Sequence, residues 1–164
     1  MELVELGDCD LTAVCALNNS FAQETSYLTE PEMRDLVQMA FYARGFAEQG
    51  AQVAAFLIAL DESAEYANTN FAFFRARRKR FIYIDRVITA EHAMRRGLAR
   101  KLYEDLFLQA TAAQHTVVGC EINLLPPNPA SDAFHARMGF VEVGAAQLAN
   151  GKTVRYLERA LDQR

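Results

Sequence analysis

The sequence predicts a mixed α/β protein of the α+β kind, with a largely antiparallel sheet of six to seven strands flanked by helices. Three observations carry that prediction. Apolar and β-branched runs of strand length alternate irregularly with helical periodicities, in the order β-α-α-β-β-β-α-β-α-β-β. Strands that follow one another without a helix pair antiparallel, and the strand-helix-strand passages call for at least one right-handed crossover. The chain has 164 residues, 51% of them hydrophobic and 23% charged, which suits a single domain spanning 1–164. A chain of that size buries about 70% of its extended surface around one core and needs no disulfides.

Taken in order, Glu2 to Leu6 is a short strand, and Asp10 is placed to cap a helix whose Leu11, Val14, Cys15 and Leu17 recur at helical spacing. In Thr29-Glu30-Pro31-Glu32, Thr29 and Glu32 have capping-box spacing and Pro31 lies in the first turn. Met33, Leu36, Val37, Ala40 and Phe41 form the apolar stripe of that second helix. A turn at Glu48-Gln49-Gly50 separates a weak strand, Gly45 to Glu48, from a strong one, Gln52 to Leu60. The strong strand hardly alternates, as expected of one covered on both faces.

Residues 69–80, rich in Phe and Arg, read as a short helix or an irregular excursion. Phe81 to Thr89 is a strand, and from Gly97 a helix runs to about Ala113, with Leu98, Leu102 and Leu106 on one ridge and Ala99, Tyr103 and Phe107 on the next. His115 to Asn123 is a strand, Pro129 to Met138 a helix ended by Gly139, and Phe140 to Gly144 with Thr153 to Leu161 a closing strand pair.

Composition narrows the functional classes. The longest strictly apolar run, Val53 to Leu60, has 8 residues, against about 18 for a membrane-spanning helix. Met1 to Glu5 lacks the basic head and apolar body of a secretory signal, so the expectation is a soluble cytoplasmic protein with no membrane partner. Cys9, Cys15 and Cys120 form no C-x-x-C and have no His at ligand spacing, which reads as thiols without a metal.

The net charge is −4 but unevenly spread: residues 1–74 carry −10, residues 75–101 carry +8 and residues 102–164 carry −2. A local basic belt on an acidic chain suits a small polyanion better than a nucleic acid, which favours a broad basic face. Arg75 to Arg80 read equally well as a solvated helix end.

The most informative stretch is Thr89 to Leu102, TAEHAMRRGLARKL, a strand end, a basic turn and a helix start. Free N–H groups in the first turn of a helix and the helix dipole make an anion site. Gly97 lets the chain approach such an anion, Ala99 is small where a phosphate would rest, and Arg95, Arg96 and Arg100 supply counter-charge. Neither G-x-x-x-x-G-K-[ST] nor G-x-G-x-x-G is present, which removes the P-loop and dinucleotide classes.

Here the sequence resembles the GCN5-related N-acetyltransferase (GNAT) superfamily, in an uncharacterised bacterial branch. Met94-Arg95-Arg96-Gly97-Leu98-Ala99 is similar to the acyl-CoA signature [R/Q]-x-x-G-x-[G/A], with Met94 replacing the usual first residue. Asn128 to Phe140, NPASDAFHARMGF, resembles the stretch N-x-x-[A/S]-x-x-L-Y-x-x-x-G-F. The two motifs cover roughly residues 81–144.

The resemblance implies a sheet whose fourth and fifth strands splay apart. The pantetheine arm of acetyl-CoA, the co-substrate, would pair with the backbone of Val87, Ile88 and Thr89. The pyrophosphate would rest on the backbone amides of Arg95, Arg96, Gly97, Leu98 and Ala99. Basic residues nearby would meet the 3′-phosphate, with Arg100 among the cofactor contacts, and Asn128 and Ser131 would lie beside the arm. Acetyl would pass by direct attack to a primary amine of a small molecule or peptide, with no metal.

The family commonly places a Tyr where this chain has His135, and imidazole can donate a proton near neutral pH; a histidine merely packed and hydrogen-bonded is the other reading. Glu121 is the one carboxylate in its strand, a base for the incoming ammonium or a partner of Arg86 or Arg137. Asp85 is a second candidate base, with Arg86 beside it as an ion-pair partner. Asn18, Glu24 and Phe71 are acceptor-site candidates, with Phe73 and Phe74 near Phe71, and core packing is the competing reading for the aromatics. A non-catalytic acyl-CoA-binding module and a salt-sensitive nucleic-acid binder remain as alternatives, and a homodimer stays open.

Overall fold

The computed structural model describes residues 1–50 and 52–162. Seven strands, β1 (Glu2–Glu5), β2 (Tyr42–Ala47), β3 (Val53–Asp61), β4 (Ile82–Thr89), β5 (Val117–Leu125), β6 (Val141–Gln147) and β7 (Thr153–Ala160), lie in the order β1-β2-β3-β4-β5-β7-β6. Every neighbouring pair is antiparallel except β4 and β5. That parallel pair needs a crossover, supplied by α4 (Leu98–Ala112). Helices α1 (Leu11–Ser20), α2 (Glu30–Met39) and α3 (Thr69–Arg77) pack on one face, around Phe56, Ile58, Leu60, Phe71, Phe74 and Tyr83. On the other face α4 packs over Leu57, Ala59, Ile84, Val118 and Cys120, and α5 (Pro129–Arg137) lies beside it. No helix of the described residues is long and apolar enough to cross a membrane.

Local sequence explains most element ends. Thr29 Oγ1 accepts from Glu32 N–H at 3.3 Å and Glu32 Oε2 accepts from Thr29 N–H at 2.8 Å, so the capping box forms. The ambiguous stretch from residue 69 is a helix to Arg77, started by Asn68, whose Oδ1 accepts from the N–H groups of Asn70 and Phe71.

Two expectations are corrected. Asp10 precedes α1, but its carboxylate accepts from Gly7 N–H at 2.9 Å instead of capping the helix, because a 3-10 turn over Asp8–Asp10 points it backwards. The second strand starts at Tyr42, three positions before the expected Gly45, and Ala40 and Phe41 lie outside α2. Pairing of Tyr42 with Ala59 and Ala43 with Ile58 outweighs the helical periodicity that extended the stripe.

The basic stretch is spent on structure. Arg77 and Arg78 pair with the buried Glu158, and Arg80 pairs with Glu62 while donating to the carbonyls of Ala113 and Gln114 just past α4. Arg75 donates to the carbonyls of Glu62 and Ala64. These contacts fold residues 75–80 onto the domain.

The sheet opens in its middle. β4 and β5 pair only at Ile82 with Val118 and Tyr83 with Gly119, although the strands continue to Thr89 and Leu125. Just past the last pair, β4 carries a bulge: Ile58 faces Arg86 and Ala59 faces Ile84, so Asp85 is the extra residue. A bulge bends its strand and raises local twist, and here it turns β4 away from β5.

Gly119 sits at the origin of the opening, where a Cβ would lie 2.7 Å from Phe74 Cδ1. Gly119→Ala should therefore destabilise the fold by about 1–3 kcal/mol, the usual range for overpacking a filled core. Urea unfolding of the variant and the parent would measure the difference.

Candidate active site

Two adjoining clefts flank the opening. The first, about 470 Å³, is lined by Val87 and Asp85 from β4, Glu121 and Cys120 from β5, and Tyr103 and His135 from the helices beyond. Glu24, Thr25 and Ser26, after α1, wall it on one side, and Leu148, Asn150 and Lys152 of the β6–β7 turn close another. Lys152 Nζ donates to Gln23 O at 2.8 Å and ties these two walls together. The second cleft, about 400 Å³, is lined by Thr89, Arg95, Gly97, Ala99, Arg100 and Arg137, among others.

Backbone alternation shows which polar groups of β4 face the opening. Ala90 N–H donates to Ala54 O at 2.8 Å, and the same register pairs Ile88 with Phe56. Main-chain groups of successive strand residues point to opposite sides, so those of Ile88 are turned to β3 while those of Val87 and Thr89 face the gap. Of the three residues expected to meet the pantetheine arm, Ile88 is corrected on this ground, and its side chain is buried as well.

The helix start provides the anion cradle. Lys101 N–H makes the first helical bond of α4, to Gly97 O, so the N–H groups of Leu98, Ala99 and Arg100 precede the intrahelical ladder. Gly97 is left-handed, with φ +73°, and a Cβ there would meet nothing within 4 Å: the conformation, not crowding, favours glycine. Arg95 is also left-handed, at φ +62°, a strain of about 1–3 kcal/mol that clusters at ligand sites.

Arg95 and Arg100 border the cradle, but Arg96 does not. Its guanidinium is turned to Glu48, at 4.0 Å, so the counter-charge expected of its side chain is corrected to a surface ion pair. Arg137, which the motif reading passed over, borders the cradle from the last turn of α5. Its place three residues before the motif's Phe140 was the available signal. Asn128 caps α5 by accepting from Ser131 N–H at 3.2 Å.

Glu121 faces the α1–α3 side of the sheet, at the point where β4 and β5 part. Tyr83 Oη donates to its Oε2 at 2.7 Å, and no cation pairs with it among the described residues. Burial pushes its carboxyl from 4.5 up to about 8, against the pull of the Tyr83 hydrogen bond and with a further push from Asp85. Arg86, offered as its structural partner, is engaged elsewhere. It holds Asp85 at 2.7 Å and reaches Asn18 Oδ1 at 2.8 Å and Ser26. Asp85 also accepts from Tyr66 Oη at 2.7 Å, so it serves as an ion-pair anchor.

His135 lies across the opening, on the α4 and α5 side. The Ser131 carbonyl oxygen, 2.8 Å from Nδ1, can only accept, so Nδ1 carries a proton. On the neutral ring Nε2 then accepts from Tyr103 Oη–H at 2.9 Å. Burial holds the imidazole below its ordinary value, partly offset by the Ser131 carbonyl. The periodicity assigned Tyr103 to a core ridge, and it is indeed buried, yet it also borders the cleft; only the packing of α4 against α5 brings it to His135.

The acceptor-side candidates separate. Glu24 lines the first cleft. Asn18 is fully buried and spent on Arg86, Asn19 and the Ser26 carbonyl, so it holds the cleft wall from behind. Phe71, 1% exposed, packs against Phe81, Tyr83 and Tyr66 in the core and is corrected from a substrate contact to a core residue. Phe73 stacks on Tyr156 and Phe74 is fully buried.

A split sheet with free strand amides, a helix-start anion cradle and a buried carboxylate define an acyl-CoA-dependent N-acetyltransferase. Consistent with this, the model of the Acetyltransferase (GNAT) family matches residues 13–140, and the chain belongs to that family.

Among solved structures, Ard1 from Thermoplasma volcanium is similar with a TM-score of 0.78 and 15% identity, over 99% of this chain and 98% of that one. A ribosomal-protein-alanine N-acetyltransferase from Brucella melitensis is similar with a TM-score of 0.72 and 19% identity, over 98% and 100%. The NatB acetyltransferase complex bound to CoA and MES matches with a TM-score of 0.75 and 12% identity, over 99% and 100%. No curated protein is similar enough in sequence to match.

The position of Glu121 has a consequence for stability. The folded chain keeps that proton up to about pH 8, whereas an unfolded glutamate releases it near 4.5. The folded state binds more protons across this window, so stability falls as pH rises through it. Glu121→Gln removes the effect: its thermal midpoint should gain on the parent as pH goes from about 4.5 to about 8. A pH series of melting curves would show an unchanging difference if the carboxyl titrates normally.

Proposed function

We propose that this acetyltransferase transfers acetyl from acetyl-CoA to a primary amine of a small molecule or peptide, with Glu121 as the base and the His135 side of the cleft as the proton source. The observation that carries the reading is the placement of Glu121: a carboxylate with no cation paired to it among the described residues, at the parting of β4 and β5, between an acceptor cleft and a free strand edge.

The residues present suit the co-substrate. The main-chain groups of Val87 and Thr89 offer a strand edge that an extended amide chain can pair with. The first-turn amides of α4, with Arg95, Arg100 and Arg137 around them, suit a pyrophosphate. Bound there, acetyl-CoA supplies an activated acyl group as a thioester.

The protein's task is to provide a neutral amine and to return a proton to the leaving sulfur. Glu121, once ionised, takes a proton from the ammonium directly or through a water. Its raised pKa makes it a stronger base than an ordinary glutamate. Tyr83 fixes the carboxylate's direction, and Glu24 lies on the wall by which an acceptor would enter. Arg86, tied to Asp85, Asn18 and Ser26, holds that wall against β4.

The panel that tests this contains small amines and peptides with free amino termini, the latter because the similar structures include a ribosomal-protein-alanine N-acetyltransferase. Acetyl-CoA should release free thiol with at least one of them. Glu121→Gln should lower turnover by about 100-fold or more, the contribution typical of general base catalysis, while the CoA dissociation constant stays within about threefold. Equal turnover in the variant would remove Glu121 from the chemistry.

Gly97→Ala should act on binding. A methyl at φ +73° costs about 1 kcal/mol of backbone strain, and any relaxation turns the cradle amides. Calorimetry should show weaker CoA binding, with KM for acetyl-CoA raised more than kcat is lowered.

A further inference from the structure

Resting on the acetyltransfer reading, we infer that Tyr103 is the residue that hands the proton to the departing sulfur, and that His135 is a positioning residue that refills it. Both ring nitrogens of His135 are occupied, Nδ1 by the Ser131 carbonyl and Nε2 by Tyr103 Oη. The Ser131 contact fixes the ring, because rotating it would leave a carbonyl without its donor and bury an unmatched nitrogen. The Tyr103 hydroxyl, bonded to Nε2, gives that nitrogen a direct route to the cleft that Tyr103 lines. Tyr103 lines the cleft together with Cys120 and Ile84, and its ring is held edge-on by Phe107, Phe134 and Phe140. Its hydroxyl bonds to His135, and a phenol oxygen has capacity for a second hydrogen bond.

The step balances as follows. The carbon–sulfur bond breaks and its electron pair stays on sulfur. Tyr103 gives its Oη proton to that sulfur, forming the S–H bond, while its oxygen takes the Nε2 proton of the His135 imidazolium. Tyr103 ends as a phenol and His135 as a neutral ring with Nδ1–H on Ser131 and Nε2 accepting from Tyr103, which is the arrangement in this structure. A solvent proton, entering by the same hydroxyl once the thiol has left, recharges the ring.

Burial raises Tyr103 well above the usual phenol range, so a tyrosinate cannot accumulate and the oxygen must gain a proton as it gives one. Burial also lowers His135, which makes its imidazolium a willing donor to a thiolate.

Two measurements test the relay. In steady-state turnover with an accepted amine, Tyr103→Phe keeps the packed ring and should lower kcat by about 100-fold, with KM for acetyl-CoA little changed. His135→Gln, which can accept from Tyr103 but cannot refill it, should fall as far, and the double variant no further, because the two act as one unit. A Tyr103→Phe enzyme at parental kcat, or losses that multiply in the double variant, would overturn the proposal.

The second measurement needs no acceptor. The thiol of CoA bound to the protein is titrated through its ultraviolet thiolate absorbance. The midpoint should lie higher in Tyr103→Phe than in the parent by about one unit, since a donor to sulfur favours the thiolate. Coincident midpoints would show that Tyr103 does not touch the sulfur. Failure of every amine in the panel, with the midpoints still apart, would count against the acetyltransfer reading and leave the Tyr103 contact standing.

Discussion

The structure depends on two parallel strands that stay paired for two residues and then separate. Elsewhere the sheet satisfies its backbone by pairing neighbours over most of their length, and in the middle it leaves that rule unfulfilled between β4 and β5. Unpaired main-chain groups inside a protein are costly, so an interior sheet edge persists only where the rest of the fold enforces it. The bulge at Asp85 bends β4, Phe74 fills the space against Gly119, and the Arg86 network fastens the bent strand to the segment after α1. Of these residues, Asp85 and Arg86 also line the first cleft.

The opening also sorts the chemistry by face. Glu121 points toward α1, α2 and α3, where an acceptor has access, and His135 with Tyr103 lies toward α4 and α5, near the anion cradle. In the proposed reaction a proton is taken on one side and returned on the other, with the thioester between them. The same burial that shapes the cleft sets the protonation states. It disfavours charge on Glu121 and on His135 alike, so the carboxyl holds its proton to higher pH and the imidazole loses its proton at lower pH. Asp85 and Arg86, whose side chains are both buried, are joined instead as an ion pair at 2.7 Å.

Much of this could be read before any coordinates. The capping box at Thr29, the helix begun after Gly97, the Asn128 cap with Pro129 and the uninterrupted apolar strand from residue 53 are local patterns in which neighbouring residues satisfy one another. The anion cradle belongs to the same class, because a helix start and its glycine are adjacent in sequence. Apart from Asp10, which a near neighbour, Gly7, draws back, errors arose where partners are distant. Phe41 completes a helical stripe by spacing, but sheet pairing at Tyr42 ends the helix. The Arg96 side chain belongs to the basic run by position, but Glu48 draws it away. Phe71 has the chemistry of a binding surface but sits on the buried face of α3.

The sequence by itself determined most of the strands and helices and the anion cradle, since these follow from periodicity, caps and charge over short spans, while the resemblance of its motifs implied a cleft near Glu121. Only the tertiary structure decided which carboxylate would be neutralised by an arginine and which left without one, because Arg86 chooses between Asp85 and Glu121 by the geometry of a bulge. It also decided that Tyr103, one turn after another on an ordinary apolar ridge, would end 2.9 Å from His135. That distance is fixed by how α4 and α5 cross, and helix packing brings together residues 32 positions apart through contacts that no local pattern contains.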